Sequence, residues 1–68
     1  MRTRLKVLRA ERDLTQAELA DKLSFSRNTI NSIETGRFVP SVVTALRIAV
    51  FFEKPVEEIF ILEPEDQP

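Results

Sequence analysis

Residues 15–36, TQAELADKLSFSRNTINSIETG, decide the fold because they contain start and stop signals for two consecutive helices. Thr15 and Glu18 have the spacing of a capping box, in which each side chain binds the backbone N–H of the other residue. The box predicts a helix over residues 16–23. The buried face of this helix is expected to consist of Leu19, Ala20 and Leu23.

The second helix of this stretch begins after Ser26, because serine is a preferred N-cap residue. It is expected over residues 27–34, with Ile30 and Ile33 facing the core. Gly36 is the only glycine of the chain and would end the helix by adopting a positive φ. The sequence thus predicts two short helices joined by a tight turn at residues 24–26.

Helical periodicity continues on both sides of this stretch. Three further helices are expected, over residues 4–12 with Thr3 as N-cap, over residues 42–52 with Ser41 as N-cap, and over residues 56–60 after Pro55. The predicted fold class is all-α, a compact bundle of four to five short helices. One domain is expected over residues 1–62, and residues 63–68 are expected to form an acidic, flexible tail.

The composition excludes several classes of function. The chain has no cysteine and no histidine, so it lacks thiolate nucleophiles, imidazole bases and the common ligands of zinc. A single glycine cannot build a phosphate-cradling loop, and no apolar run is long enough to span a bilayer. We therefore expect a cytoplasmic protein that is not an enzyme, with no cofactor, no metal site and no evident small-molecule effector.

The net charge of −1 conceals an uneven distribution. Residues 1–50 contain nine Lys/Arg and five Asp/Glu, whereas residues 51–68 contain one and six. A nucleic-acid-binding face requires a local positive potential rather than a basic average. The distribution therefore permits DNA binding without requiring it.

The stretch LTQAELADKLSFSRNTINSIETGRFVPS at residues 14–41 resembles, without a gap, the common form LTQEELAEKLGVSRQTISAIENGKYNPS of the Xre/Cro family of phage-repressor-like regulators. The resemblance continues through TALRIAVFF and VEEIF and covers residues 4–60. It implies a lambda-repressor-like domain whose helix-turn-helix reads double-stranded DNA in the major groove. Taken alone, the polar face of residues 27–34 would more often be a solvated helix surface, and only the full motif favours contact with DNA.

The family pattern, carried over residue by residue, implies two kinds of DNA contact and one structural ion pair. Base contacts are expected from Arg27, Asn28, Asn31 and Ser32. Phosphate contacts are expected from Gln16, Thr29, Thr35 and Arg37, and Gln16 should also support the recognition helix. Arg9 and Glu34 occupy the positions of a partly buried ion pair that joins the first helix to the end of the third.

Three positions that are usually glycine in the family are Asp13, Ser24 and Glu53 in this chain. Asp13 is a plausible left-handed terminator of the first helix, since aspartate tolerates that conformation better than most residues. Ser24 lies inside the helix-turn-helix. Either Ser24 adopts a positive φ at some energetic cost, or the turn differs from that of the family.

Valines at positions 7, 43 and 50 stand where relatives carry charged or polar residues, and they make the surface unusually apolar. With Phe51 and Phe52 they leave the fourth helix apolar around most of its circumference, which predicts self-association. One of the two phenylalanines is expected in the core and the other at the interface. The family's dimers imply the interface candidates Val50, Phe51, Val56, Phe60 and Leu62.

Three hypotheses follow for the function. The first is a transcriptional regulator, a repressor that binds a palindromic operator as a homodimer. The second is an antitoxin-like interaction module that neutralises a protein partner and binds DNA secondarily. The third is a family member that keeps the fold and has lost DNA binding.

Overall fold

The computed structural model describes residues 1–67, and Pro68, the last residue of the expected tail, lies outside this range. Four helices form the body: α1 (Leu5–Glu11), α2 (Gln16–Leu23), α3 (Arg27–Glu34) and α4 (Val42–Phe52). The all-α fold class is confirmed, and so are the predicted bounds of α2, α3 and α4. Helix α1 is one residue shorter at each end than expected. No helix within residues 1–67 has the length and hydropathy needed to cross a membrane.

The predicted N-caps explain why three of these helices begin where they do. The Glu18 N–H donates to Thr15 Oγ1 at 3.0 Å, and the Thr15 N–H donates to Glu18 Oε1 at 2.9 Å, which completes the capping box of α2. Ser26 Oγ accepts from the Thr29 N–H at the start of α3. Ser41 Oγ accepts from the Thr44 N–H at the start of α4.

The N-terminal segment differs from its prediction. Thr3 is not the N-cap of α1, because residues Arg2–Thr3 form strand β1, which pairs antiparallel with strand β2 (Phe60–Ile61). The Arg4 N–H continues this pairing by donating to Ile59 O at 2.9 Å. The N-cap position of α1 is Arg4, whose side chain makes no cap hydrogen bond. Pairing with the distant C-terminal segment thus replaces the local capping that we expected.

The C-terminal segment is also less helical than predicted. A 3-10 turn at Val56–Glu58 replaces the fifth α-helix, and Phe60–Ile61 belong to β2. A second 3-10 turn follows at Pro64–Asp66, and the carboxylate of Asp66 lies 2.8 Å from the amino group of Met1. This ammonium group holds the pKa of Asp66 below its ordinary value. The flexibility of the tail stays a prediction.

The core contains one layer of apolar side chains shared by all four helices and the segment before β2. The predicted residues Leu5, Leu8, Leu19, Ala20, Leu23, Ile30 and Ile33 are buried, together with Ile48, Ala49, Phe52 and Ile59. Phe25 is half-buried against this core. Helix α2 packs directly on α3, and the small side chain of Ala20 allows this close approach.

Left-handed backbone occurs at three helix ends that lack glycine. Asp13, Ser24 and Glu53 have φ values of 55°, 59° and 55°, while Gly36 after α3 has a φ of 79°. The positions that are usually glycine in the family that the sequence resembles thus keep a left-handed backbone here. For residues with a Cβ this conformation costs about 1–2 kcal/mol each, so the chain accepts strain at these turns.

The strain at Ser24 generates the first prediction. Ser24→Gly should raise the free energy of unfolding by about 0.5–1 kcal/mol, because relief of the left-handed strain exceeds the entropy that glycine adds to the unfolded chain. Urea denaturation measures this change. The matched control is Ala17→Gly on the exposed side of α2, where ordinary helical backbone should make glycine destabilising by about 1 kcal/mol. Loss of stability in Ser24→Gly would contradict the strain argument.

The capping box generates a prediction about pH. The Thr15 backbone N–H, followed by its side chain, holds the pKa of Glu18 below its ordinary value of 4.5. Glu18 is thus more acidic in the folded chain, so its ionised form stabilises the fold above the unfolded-state pKa, and this contribution is lost as pH falls through the folded-state pKa. The stability advantage of the wild type over Glu18→Gln should shrink when urea denaturation is repeated from pH 7 to below pH 4. Thr15→Ala retains the backbone N–H, so the stability advantage of Glu18 over glutamine should keep most of its pH dependence in this variant. An advantage of the wild type that stays constant with pH would contradict the prediction.

Candidate nucleic-acid interface

The face of α3 that points away from the core carries the predicted base-contacting residues. Arg27 and Asn28 in the first turn are exposed, whereas Asn31 and Ser32 one turn later are half-buried. Ile30 and Ile33 are fully buried on the other side of the helix and fix its rotation about its axis. The most exposed of the predicted base-contacting residues are therefore those in the N-terminal turn of α3.

A buried carboxylate anchors the opposite end of α3. Arg9 on α1 donates from Nε to Glu34 Oε2 at 2.7 Å and from Nη2 to Glu34 Oε1 at 3.2 Å. The Glu34 side chain is only 3% exposed, and the Arg9 side chain 15%. Arg9 also donates from Nη1 to Leu14 O at 2.7 Å, so its guanidinium joins α1, α3 and the loop before α2. The structure thus brings together the two residues that the family pattern implied as an ion pair.

Gln16 at the start of α2 joins the same network. Its Nε2 donates to Glu34 Oε1 at 3.0 Å and to Asn31 Oδ1 at 3.2 Å. Both amide hydrogens of Gln16 therefore hold α3, which is the supporting role that we expected. A phosphate oxygen only accepts hydrogen bonds, so the side-chain amide of Gln16 must release one of these bonds to donate to DNA. The amide N–H groups of Asn31 take no part in its bond with Gln16.

The other three residues predicted to contact phosphates differ in whether their side chains already make hydrogen bonds within the protein. The Thr35 hydroxyl donates to the carbonyls of Asn31 and Ser32 at 3.0 and 3.3 Å. The Thr29 hydroxyl lies 2.9 Å from Ser26 Oγ, within the N-cap of α3. Arg37 is exposed in the loop after α3, and its backbone N–H donates to Ser32 O. The guanidinium of Arg37 is thus the strongest candidate for a phosphate contact in this set.

Helix α4 presents the apolar surface that the sequence indicated. Val42, Val43 and Val50 are 75%, 68% and 77% exposed, and Leu46 is half exposed. Part of this surface lines a groove of about 470 Å³, which we call the α4 groove. Its lining residues are Leu23, Val43, Leu46, Arg47, Val50 and Phe51.

The five predicted interface residues separate into two groups. Val50 and Phe51 line the α4 groove. Val56 and Phe60 are half-buried against the core, and Leu62 is exposed after β2. Phe52 is in the core, as expected for one of the two adjacent phenylalanines, and Phe51 is half-buried at the groove. A place for Phe51 at an interface stays a prediction.

Two arginine contacts were not found from the sequence. Arg47 on α4 donates to Leu23 O at 2.6 Å and lies 4.8 Å from the centre of the Phe25 ring. Arg12 donates to Phe51 O at 3.2 Å and lies 5.1 Å from the centre of the Phe52 ring. The hydrogen-bond partners of Arg47 and Arg12 lie 24 and 39 positions away along the chain, so no local pattern could have indicated either contact.

Comparison with known proteins agrees with this geometry. The family model described as Helix-turn-helix matches residues 5–59. An uncharacterized HTH-type transcriptional regulator of Methanocaldococcus jannaschii is 47% identical over 66 residues, which cover 97% of this chain and 100% of that protein. The HTH-type transcriptional regulator YgzD of Bacillus subtilis is 36% identical over 97% of this chain and 100% of its own length.

A relative with a more specific name matches over a shorter range. The cryptic phage CTXphi transcriptional repressor RstR of Vibrio cholerae is 33% identical over 57 residues, covering 84% of this chain and 51% of that protein. Together with the matched family model and the α2–turn–α3 geometry, these relatives identify a regulator that is not an enzyme. The chain belongs to the Xre/Cro-type helix-turn-helix family of DNA-binding transcriptional regulators.

Proposed function

We propose that this chain is a repressor that acts in the cytoplasm and binds a short palindromic operator as a homodimer. The observation that carries the proposal is the first turn of α3, where Arg27 and Asn28 are exposed on a helix held from behind by Ile30 and Ile33. A helix supported in this way can enter the major groove with its N-terminal residues against base edges. Repression is supported by a relative that is named a repressor.

Sequence discrimination is assigned mainly to Arg27 and Asn28. The guanidinium of Arg27 can donate two hydrogen bonds to O6 and N7 of guanine, a pair worth about 1–3 kcal/mol of discrimination. The Asn28 amide has the donor and acceptor that match adenine. Asn31 and Ser32 are half-buried, so we assign them shorter-range contacts at the edge of the same groove.

Phosphate contacts position the domain and carry no sequence information directly. We assign the main contact to Arg37, whose guanidinium is in an exposed loop. The side chains of Gln16 and Thr35 would contribute only after exchanging a hydrogen bond that they donate within the protein, and the Thr29 hydroxyl is already paired with Ser26 Oγ. Their individual contributions to affinity are therefore expected to be smaller than that of Arg37.

The proposed dimer uses the α4 groove of two copies. Val42, Leu46 and Val50 are spaced by four residues, so they form one stripe along α4. Arg47 is the one charged residue among the six that line the groove, and its guanidinium is already engaged by Leu23 O and the Phe25 ring, so the surface offered to a second copy is mainly apolar. A two-fold dimer would place two α3 helices on successive major grooves, about 34 Å apart.

Selection of bound sites from random duplex DNA at stated salt tests the function. The wild type should select one palindromic consensus, and Arg27→Ala should lose preference at one base pair of each half-site with about a 5- to 150-fold loss in affinity for the consensus. Binding of random DNA should change much less. Equal losses on both DNAs would reduce Arg27 to a phosphate contact.

Failure of the wild type to select any consensus would contradict sequence-specific binding. Absence of binding to any DNA, even at low salt, would favour the third hypothesis, a family member that keeps the fold and has lost DNA binding. Stable copurification of a small basic protein, with no selected site, would instead favour the antitoxin-like alternative.

Association in solution tests the dimer. Sedimentation of the wild type without DNA should show a concentration-dependent dimer, and Val50→Asp should weaken this association at least about tenfold by burying an unpaired carboxylate. The matched control is Val39→Asp, which places the same charge at an exposed valine in the loop before α4. A wild type that stays monomeric at all concentrations, or equal effects of both variants, would contradict the α4 interface.

A further inference from the structure

The turn between α2 and α3 is held by a side chain from outside the helix-turn-helix. Arg47 Nη2 donates to Leu23 O at 2.6 Å, and the guanidinium carbon lies 4.8 Å from the centre of the Phe25 ring. Leu23 is the last residue of α2, and Phe25 is the second residue before α3 begins. One guanidinium on α4 thus contacts both sides of Ser24.

These two contacts are chemically suited to fix the turn. The last carbonyls of a helix lack intrahelical partners and form the negative end of the helix dipole, so a cation that donates to Leu23 O is favourable there. The planar guanidinium can lie over the face of an aromatic ring while its N–H groups donate in the plane of the guanidinium itself. A lysine ammonium could donate to the carbonyl but could not stack in the same way.

The turn itself needs such support. Ser24 has a φ of 59°, a conformation that a serine adopts only against strain. The backbone on either side of Ser24 sets the angle between α2 and α3, and Arg27 and Asn28 follow within four residues. A small rotation at Ser24 therefore displaces the exposed first turn of α3 relative to the rest of the domain.

We infer that Arg47 is a positioning residue for base recognition, which sets the placement of the α3 N-terminus through the Leu23 carbonyl and the Phe25 ring. The inference rests on the proposed function, because it assigns base readout to that turn of α3. Arg47 acts through the protein backbone and needs no contact with DNA. Its loss should consequently reduce discrimination between bases more than it reduces binding of DNA in general.

The chain provides a matched control for Arg47. Arg12 makes the same two types of contact, to the Phe51 carbonyl and the rings of Phe51 and Phe52, but joins the end of α1 to the end of α4. Arg12→Met therefore removes an equivalent guanidinium, hydrogen bond and cation–π contact without touching the turn. Comparison of the two variants separates a general loss of stability from a specific effect on α3.

The experiment measures affinity for the selected site and for the same site with the base pair read by Arg27 replaced. Arg47→Met should lower the ratio of these affinities by roughly two- to thirtyfold, whereas Arg12→Met should leave the ratio unchanged. Because Arg47 also lines the α4 groove, both affinities are measured at protein concentrations at which each variant is dimeric, so that both DNAs bind the same oligomer. Arg47→Lys should also lower the ratio, because the lost stacking is not replaced by charge.

A second readout requires no DNA. Native-state amide hydrogen exchange should accelerate at residues 24–28 in Arg47→Met relative to Arg12→Met, after correction for the global stability of each variant. Equal exchange at the turn in both variants would overturn the inference. The inference would also be overturned if Arg47→Met lowered the affinity for both DNAs by the same factor and Arg47→Lys restored it. That result would make Arg47 a phosphate contact.

The two proposals fail in different ways. A wild type without any base preference overturns the proposed function, and the role of Arg47 in recognition falls with it. A clear wild-type preference that Arg47→Met leaves intact overturns only the positioning role of Arg47.

Discussion

The buried carboxylate of Glu34 is the interaction on which the arrangement of the helices depends. It accepts from Arg9 on α1 and from Gln16 on α2, while it belongs itself to α3. A carboxylate that is removed from water is tolerated only when its oxygens are paired. The three helices must therefore meet at this point, and other ways of packing the same apolar surfaces would leave the charge unpaired. Because desolvation offsets much of the attraction, the network determines orientation more than it adds net stability.

The two ends of α3 are held by different physical means. The C-terminal end is joined to α1 and α2 by the hydrogen bonds of Glu34, whereas the N-terminal end follows a left-handed serine that Arg47 supports from α4. A helix of eight residues is only about 12 Å long, so anchors at its two ends define both tilt and rotation. The exposed side chains of Arg27 and Asn28 need no interactions of their own to be placed.

The features predicted from the sequence are those that depend on neighbouring residues. The caps at Thr15, Ser26 and Ser41 and the glycine after α3 determined helix bounds correctly because their partners lie three or four residues away. The β1–β2 pairing and the contacts of Arg47 join residues more than twenty positions apart, and no periodic pattern reports them.

The candidate site divides in the same way. The outward position of Arg27 and Asn28 followed from helical periodicity, and the ion pair between Arg9 and Glu34 followed from the family pattern. That the hydroxyl of Thr35 is used within α3 depends on a rotamer, which residue type alone does not specify. For the same reason the donors of Gln16 could be counted only in three dimensions.

The antiparallel pairing of the two ends closes nearly the whole chain into a ring, with Thr3 opposite Phe60. The entropy lost on closing a loop grows only with the logarithm of its length, so this closure costs little more than that of a loop half as long. Contacts between adjacent helices can still form earlier because they enclose few residues. We therefore expect the strand pair to form last and to open first. Each opening exposes the otherwise buried Leu5 and Ile59, so the rate at which the ring recloses governs how long this apolar surface meets other molecules.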